Sequence, residues 1–195
     1  MPDTLSKRWR GSLFRILQEY DEAQAFREAA LASRLGDWTA CLTKAVVGSC
    51  KDLGWHAAAK GHLAEVLPVP RNEYLALDVV AFQPSGGSRW PFPVAVFELE
   101  NSPDDDRIAY SLWKLLCVRA PLRVLFAYRR ESREGSALVG HLAETVVGSM
   151  PMAERMNLSG ETLLLIGSRA EGEIFPYGYF KEWILDTNTG RFARA

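Results

Sequence analysis

Residues 73–100 read EYLALDVVAFQPSGGSRWPFPVAVFELE, and residues 101–128 continue NSPDDDRIAYSLWKLLCVRAPLRVLFAY. The first stretch holds two apolar runs separated by a segment whose glycine, serine and proline content does not suit the inside of a sheet. It reads as a hairpin, with strands expected over 73–82 and 94–100. NSPDDD then places acids and a proline where a helix N-terminus tolerates them. A helix is expected over 106–118, Pro121 stops it, and 122–128 is apolar enough for a buried strand. A strand reached through a helical crossover returns parallel to its neighbour, so the sheet is expected to be mixed.

Upstream, Leu5, Trp9, Leu13, Leu17 and Tyr20 recur every three or four positions, which predicts one long amphipathic helix, or two, over 5–35. Gly36 and Asp37 read as a stop and a restart. A second helix is expected over 38–53, with Leu42, Ala45, Val46, Ser49 and Leu53 inward and Gly54 as its end. A strand over 62–69 and a turn over 68–72 precede the hairpin. Downstream, a helix over 136–150 and strands over 162–167 and 179–185 complete the chain, with TNTG at 187–190 as a turn. The fold class is α/β in one domain over 1–195: a helical extension (1–36), a core (37–130), and a C-terminal helix with extra strands (131–195).

The 195 residues are 48% apolar with 23 Lys and Arg against 24 Asp and Glu, and the mean hydropathy is −0.09, which excludes wholesale disorder. No apolar run approaches the roughly 20 residues of a membrane helix. The N-terminus lacks the apolar core of a secretory signal, so a cytoplasmic protein with no membrane partner is expected. Cys41, Cys50 and Cys117 form no C-x-x-C pair and read as small buried thiols in a reducing compartment. His56, His62 and His141 show no metal-ligand spacing. A serine-hydrolase elbow, a phosphate loop and a dinucleotide-binding turn are all absent from the sequence. Basic residues crowd the first helix (Lys7, Arg8, Arg10, Arg15) and flank one strand (Arg119, Arg123, Arg129, Arg130, Arg133), and a solvated, acid-balanced face is the ordinary reading of each.

Three acids lie in segments otherwise apolar enough to be buried: Asp78 in LALDVVAF, and Glu98 with Glu100 in VAVFELEN. Strand alternation sends Glu98 and Glu100 to one face and Phe97 and Leu99 to the other. If the hairpin forms, Asp78 joins the two glutamates. Three converging carboxylates repel unless a cation lies among them, and oxygen-only ligands favour Mg²⁺ or Mn²⁺.

This pattern resembles the PD-(D/E)xK nuclease superfamily, in which an acid on the second strand and an acid-x-lysine on the third hold the metal. The resemblance covers about residues 38–129 and includes the order helix, three strands, helix, strand. It implies a restriction-endonuclease-like core around a mixed central sheet. It also implies a metal-dependent nuclease that hydrolyses phosphodiester bonds, of DNA foremost, with Asp78, Glu98 and Glu100 as catalytic and metal-binding residues and Mg²⁺ or Mn²⁺ as cofactor. Glu100 occupies the place where lysine is usual, as in some restriction endonucleases of the superfamily with acid-x-acid.

Lys114 is the substitute lysine on this reading, although helical spacing sets it nearly opposite Leu112, where a solvated lysine is expected. Lys60 and Lys44 are weaker choices. Arg107 and Tyr110 share Lys114's side of the helix and are expected at the nucleic acid. Asn101 and Ser102 have two readings, a phosphate contact or a cap for the next helix, and the cap is the commoner fate. Trp90 and Phe92 either stack on bases or cover the core, with the cover favoured. The alternative function is a catalytically inactive nuclease-fold module that binds nucleic acid or a protein partner. The stripe Trp9, Leu13, Phe14, Leu17 and Tyr20 packs either on its own core or on a second subunit, which would make a homodimer.

Overall fold

The computed structural model describes residues 3–19, 23–32, 34–84 and 88–195. Its centre is a seven-stranded mixed sheet in which each strand pairs with its neighbours in sequence: β1 (His56–Ala59), β2 (Val79–Phe82), β3 (Ala95–Leu99), β4 (Leu122–Arg129), β5 (Glu161–Ser168), β6 (Phe180–Asp186) and β7 (Arg191–Arg194). The β3–β4 and β4–β5 pairs are parallel and the other four are antiparallel. The expected hairpin is present, with Val79, Val80 and Ala81 opposite Phe97, Val96 and Ala95. The expected parallel return occurs through α4 (Asp105–Leu116).

Alternation along the central strands divides the core in two. Phe97, Leu99, Val124 and Phe126 meet α1 (Leu5–Glu19), α2 (Ala23–Leu31) and α3 (Leu35–Asp52) on one face. Val80, Val96 and Leu125 meet α4 and α5 (Ser132–Leu142) on the other. Trp9 is fully buried, its ring centroid 5.0 Å from that of Phe97. Leu13, Phe14 and Leu17 are buried with it. The described members of the stripe are thus packed on the chain's own core; Tyr20 lies outside the described residues.

Several boundaries differ from expectation. Gly36 and Asp37 lie inside the first turn of α3, so the helix break falls before Leu35. The strand expected over 62–69 is replaced by isolated bridges, Ala59 with His62 and Ala64 with Arg71. The first strand is instead HAAA at His56–Ala59, whose three alanines are buried and carry no sequence alternation. Only Val79–Phe82 of the run 73–82 is strand, because Leu75 and Ala76 take positive φ values of 59° and 52° and turn the chain. The helix expected at 136 starts at Ser132 because Glu131 and Glu134 form a capping box, and it continues into a π-helical turn, Ala143–Val147. TNTG is the turn between β6 and β7, with Gly190 at φ 70°.

Arg123 belongs to no basic surface. It is 2% exposed on β4, and its guanidinium donates to the carbonyls of Leu115, Val118 and Ser159. Arg10 pairs with Glu182 and Arg15 with Asp52, so these α1 cations are balanced by acids. Trp90 and Phe92 do not cover the core. Both are largely exposed, with the Arg119 guanidinium 5.0 Å from the Phe92 ring centroid. Cys41 and Cys50 share α3, whereas Cys117 is exposed. Among the described residues no helix is long and apolar enough to cross a membrane.

Candidate functional site

The sequence VFELE builds the site through strand alternation. Phe97 and Leu99 enter the core under α1 and α3, which turns Glu98 toward α4. Asp78 stands immediately before β2, and the β2–β3 register brings it opposite Glu98, one residue past the Val79–Phe97 pair. Its Oδ2 accepts a 2.7 Å hydrogen bond from the Leu99 amide, which ties the acid to the end of β3.

Glu98 is 4% exposed. From α4, the Lys114 ammonium lies 2.8 Å from its Oε1. This is an ion-pair contact outside hydrogen-bond geometry, so Oε1 is buried without an aligned donor. Burial pushes the Glu98 carboxyl up to about 7; Lys114 opposes the rise, the negative charge of Asp78 adds to it, and Ser111 opposes it. Lys114 also donates to the Ala76 carbonyl at 2.7 Å. Its position follows from the loop before β2, which folds over α4 and converts an outward lysine into one whose side chain is only 22% exposed.

Glu100 is half-buried just beyond β3. Its Oε1 accepts from the Ser102 amide at 2.8 Å, and its Oε2 lies 3.5 Å from the Ser111 hydroxyl, which donates to it. Ser111, 3% exposed on α4, therefore approaches both glutamates. It was not among the residues expected at the site, though a serine three positions before Lys114 on an otherwise apolar helix face carried the signal. Among the described residues, no group of three His, Cys, Asp or Glu side chains is arranged to hold a metal ion. The three-carboxylate centre expected from the sequence is thus not formed. The cation beside Glu98 is the ammonium of Lys114, and Glu100 is held by serines.

The remaining expected residues divide between surface and scaffold. Tyr110 is exposed and stacks on exposed Trp113, with centroids 5.8 Å apart. Arg107 is exposed and, with Glu100, Asp106 and Tyr110, lines an open depression of about 350 Å³ beside the acids. Asn101 is spent on the scaffold: its amide donates to Thr39 Oγ1 at 2.6 Å and to the Leu35 carbonyl at 3.2 Å, fastening the β3–α4 loop to α3. Ser102 Oγ accepts from the Asp104 amide, and the helix cap itself is Asp104, whose carboxylate accepts from the Asp106 amide. Arg129 clamps the same loop, pairing with Asp105 and donating to the Ser102 carbonyl at 3.3 Å. Lys60 is exposed in the turn between Ala59 and His62, and Lys44 belongs to α3, which covers the face opposite α4. Lys114 is in contact with Glu98, an acid of the site.

No family model, curated protein or solved structure matches the chain.

Proposed function

We propose that the protein is a metal-dependent nuclease of the PD-(D/E)xK kind, acting on phosphodiester bonds of DNA, with Lys114 supplying from α4 the lysine that is usual at the position of Glu100. The observation that carries this reading is the 2.8 Å approach of Lys114 to buried Glu98, with Asp78 opposite on the neighbouring strand. The order α3, β1 to β3, α4, β4 supports a restriction-endonuclease-like core.

Asp78 and Glu98 are the residues that would hold the ion. Mg²⁺ takes one or two carboxylates and keeps several waters, so two acids suffice chemically, and Glu98 Oε1 is a buried oxygen without an aligned donor. A bound divalent ion supplies Lewis acidity and makes water a better nucleophile. The chain's own groups do the rest. The Lys114 ammonium orients the attacking water and offsets negative charge growing on the phosphate oxygens. Glu100 receives the water's proton. Arg107, beside Glu100, binds a backbone phosphate, and Tyr110 flanks it.

The test is cleavage of plasmid and single-stranded DNA in Mg²⁺ and then Mn²⁺, comparing wild type with Asp78→Ala and Glu98→Gln at matched circular dichroism. Wild type cuts, and both variants are slower by at least ~100-fold. Undiminished cutting by either variant rejects the assignment.

A second reading is favoured by one observation: no three-residue metal group is formed among the described residues, and Lys114 already neutralises Glu98. On that reading the chain is a nuclease-fold module without turnover. It predicts an absence of cutting together with salt-sensitive DNA binding that survives Asp78→Ala.

A further inference from the structure

We propose that the outer face of α4 and the loop before β3 form a track for unpaired DNA, on which bases stack against Tyr110, Trp113, Phe92 and Trp90 while arginines take the phosphates. The inference deepens the reading of the chain as a DNA-acting protein by naming the form of strand it takes, and it requires no ion.

Aromatic exposure is concentrated there. The aromatic side chains more than half exposed among the described residues are Trp90, Phe92, Tyr110, Trp113 and Tyr177. Tyr177 stacks on Phe14, with centroids 4.9 Å apart; the other four belong to α4 and to the segment before β3. Trp9, Trp38, Trp55 and Trp183 are all buried, so water meets tryptophan at Trp90 and Trp113. Rings left in water forgo the stabilisation that burial would give, and several in one region mark a contact surface.

Helical spacing lines them up. Tyr110, Trp113 and Cys117 stand at i, i+3 and i+7 on the side of α4 away from Ile108, Leu112 and Leu115, and all three are exposed. The Tyr110 and Trp113 rings stack with 27° between their planes, and the Lys114 ammonium lies 5.9 Å from the Tyr110 centroid. Beyond the end of α4, the Arg119 guanidinium lies over Phe92, beside a depression of about 430 Å³ whose described wall is formed largely by prolines and holds no acid. Val94, in that wall, precedes Glu98 by four residues, about 13 Å of extended chain. A strand that follows α4 from Phe92 therefore arrives at the acids.

The charges along the way favour an anion. Arg10, Arg15, Arg34 and Arg129 pair with acids. No described acid pairs with Arg89, Arg107 or Arg119, each of which adjoins one of the four rings: Arg89 precedes Trp90, Arg107 shares a depression with Tyr110, and Arg119 lies over Phe92. Acids meet the track at its far end, where Glu100 and Asp106 line the depression with Arg107, and Asp105 is paired with Arg129. An exposed ring with a cation at its side suits a base and its phosphate together. A duplex hides its base faces, so the occupant is an unpaired strand.

The experiment uses the full chain in chelator, as wild type, Trp113→Ala, Trp90→Ala, Arg119→Met and Arg8→Met. Affinity is read from the anisotropy of a labelled oligothymidylate of about 12 nucleotides, and contact from the quenching of tryptophan emission. Wild type should be quenched and should bind the strand about tenfold or more tightly than a duplex of the same length. Trp113→Ala and Trp90→Ala should each weaken binding by about fivefold to hundredfold, and either suffices if the other does not fold. Arg119→Met should weaken binding and lower the slope of log affinity against log salt by about 0.7. Arg8→Met removes an equal charge from the exposed side of α1 and should stay within about twofold of wild type. Duplex bound as tightly as strand, with the tryptophan variants unchanged, overturns the track and leaves a DNA-acting protein standing. Equal weakening by Arg8→Met overturns it in favour of net charge alone. A doubled solution mass that Trp113→Ala reverses, without quenching by the strand, overturns it in favour of a second copy on this face. Absence of binding to either form of DNA removes the DNA reading together with the track.

Discussion

Asp78 and Glu98 face each other at the open end of the β2–β3 pair, one step past Val79 and Phe97, and the Leu99 amide bonded to Asp78 holds the two strands at that spacing. Two carboxylates so placed, one of them buried, are a local cost to folding. The sheet bears it because both flanking strands are buried along their lengths. Such a cost is directly measurable.

Glu98 carries most of it. Its carboxyl is raised from an ordinary 4.5 to about 7, so between those values the folded chain holds a proton that the unfolded chain has lost. The contribution of this group to stability is therefore full below about pH 4.5, declines as pH rises, and is flat above about pH 7. Glu98→Gln, which mimics the protonated acid, should match wild type near pH 4.5 and exceed it by about 3 kcal/mol at pH 8. Urea unfolding in chelator at both pH values checks this, and parallel curves would reject it.

The left-handed turn predicts a gain. Asn at 75 and Gly at 76 suit a turn with two positive φ values, whereas Leu and Ala each bear about 1 kcal/mol or more of backbone strain there. The double substitution Leu75→Asn, Ala76→Gly should raise stability by about 1–3 kcal/mol, read as a higher Tm. Ala76→Val should lower it.

Arg123 predicts a loss. Its guanidinium satisfies three carbonyls in a buried position, so Arg123→Ala leaves unpaired acceptors and a void. A cost of about 3–5 kcal/mol is expected in denaturant unfolding, against less than about 0.5 kcal/mol for exposed Arg119→Ala.

Asn101 tests the division between scaffold and surface. Asn101→Ala removes two hydrogen bonds to α3 and should cost about 1–2 kcal/mol of stability. DNA affinity, measured by fluorescence anisotropy at a temperature where both proteins are folded, should be unchanged. Weakened binding without destabilisation would return Asn101 to the nucleic-acid surface.

What the sequence made legible was periodicity. The helical stripes of α1 and α3, the alternation that turns Glu98 from Phe97 and Leu99, and the acids before α4 all follow from neighbours a few residues apart. Two kinds of feature were hidden. HAAA has no β-branched residue and no alternation; it becomes β1 because its alanines are buried beside β2 and α3. Leu75 and Ala76 turn the chain without glycine or asparagine to announce it. That second surprise also explains Lys114: its helix phase alone points it to water, and the turn folding over α4 brings the Ala76 carbonyl to it. The tie from Asn101 to Thr39 spans 62 positions, so no local pattern contains it.

Each strand of the sheet lies beside its chain neighbours, in the order β1 to β7. The acids, Ser111, Lys114 and the turn that fixes it all come from residues 74–114, and the longest contact among them, Ala76 to Lys114, spans 38 positions. Loops of that size close at little more entropy than much shorter ones. During synthesis the groups of this site can meet before the ribosome has made β5, β6 or β7. The C-terminal third then acts as a late buttress, and faults introduced there should reduce how much protein survives more than what each surviving molecule can do.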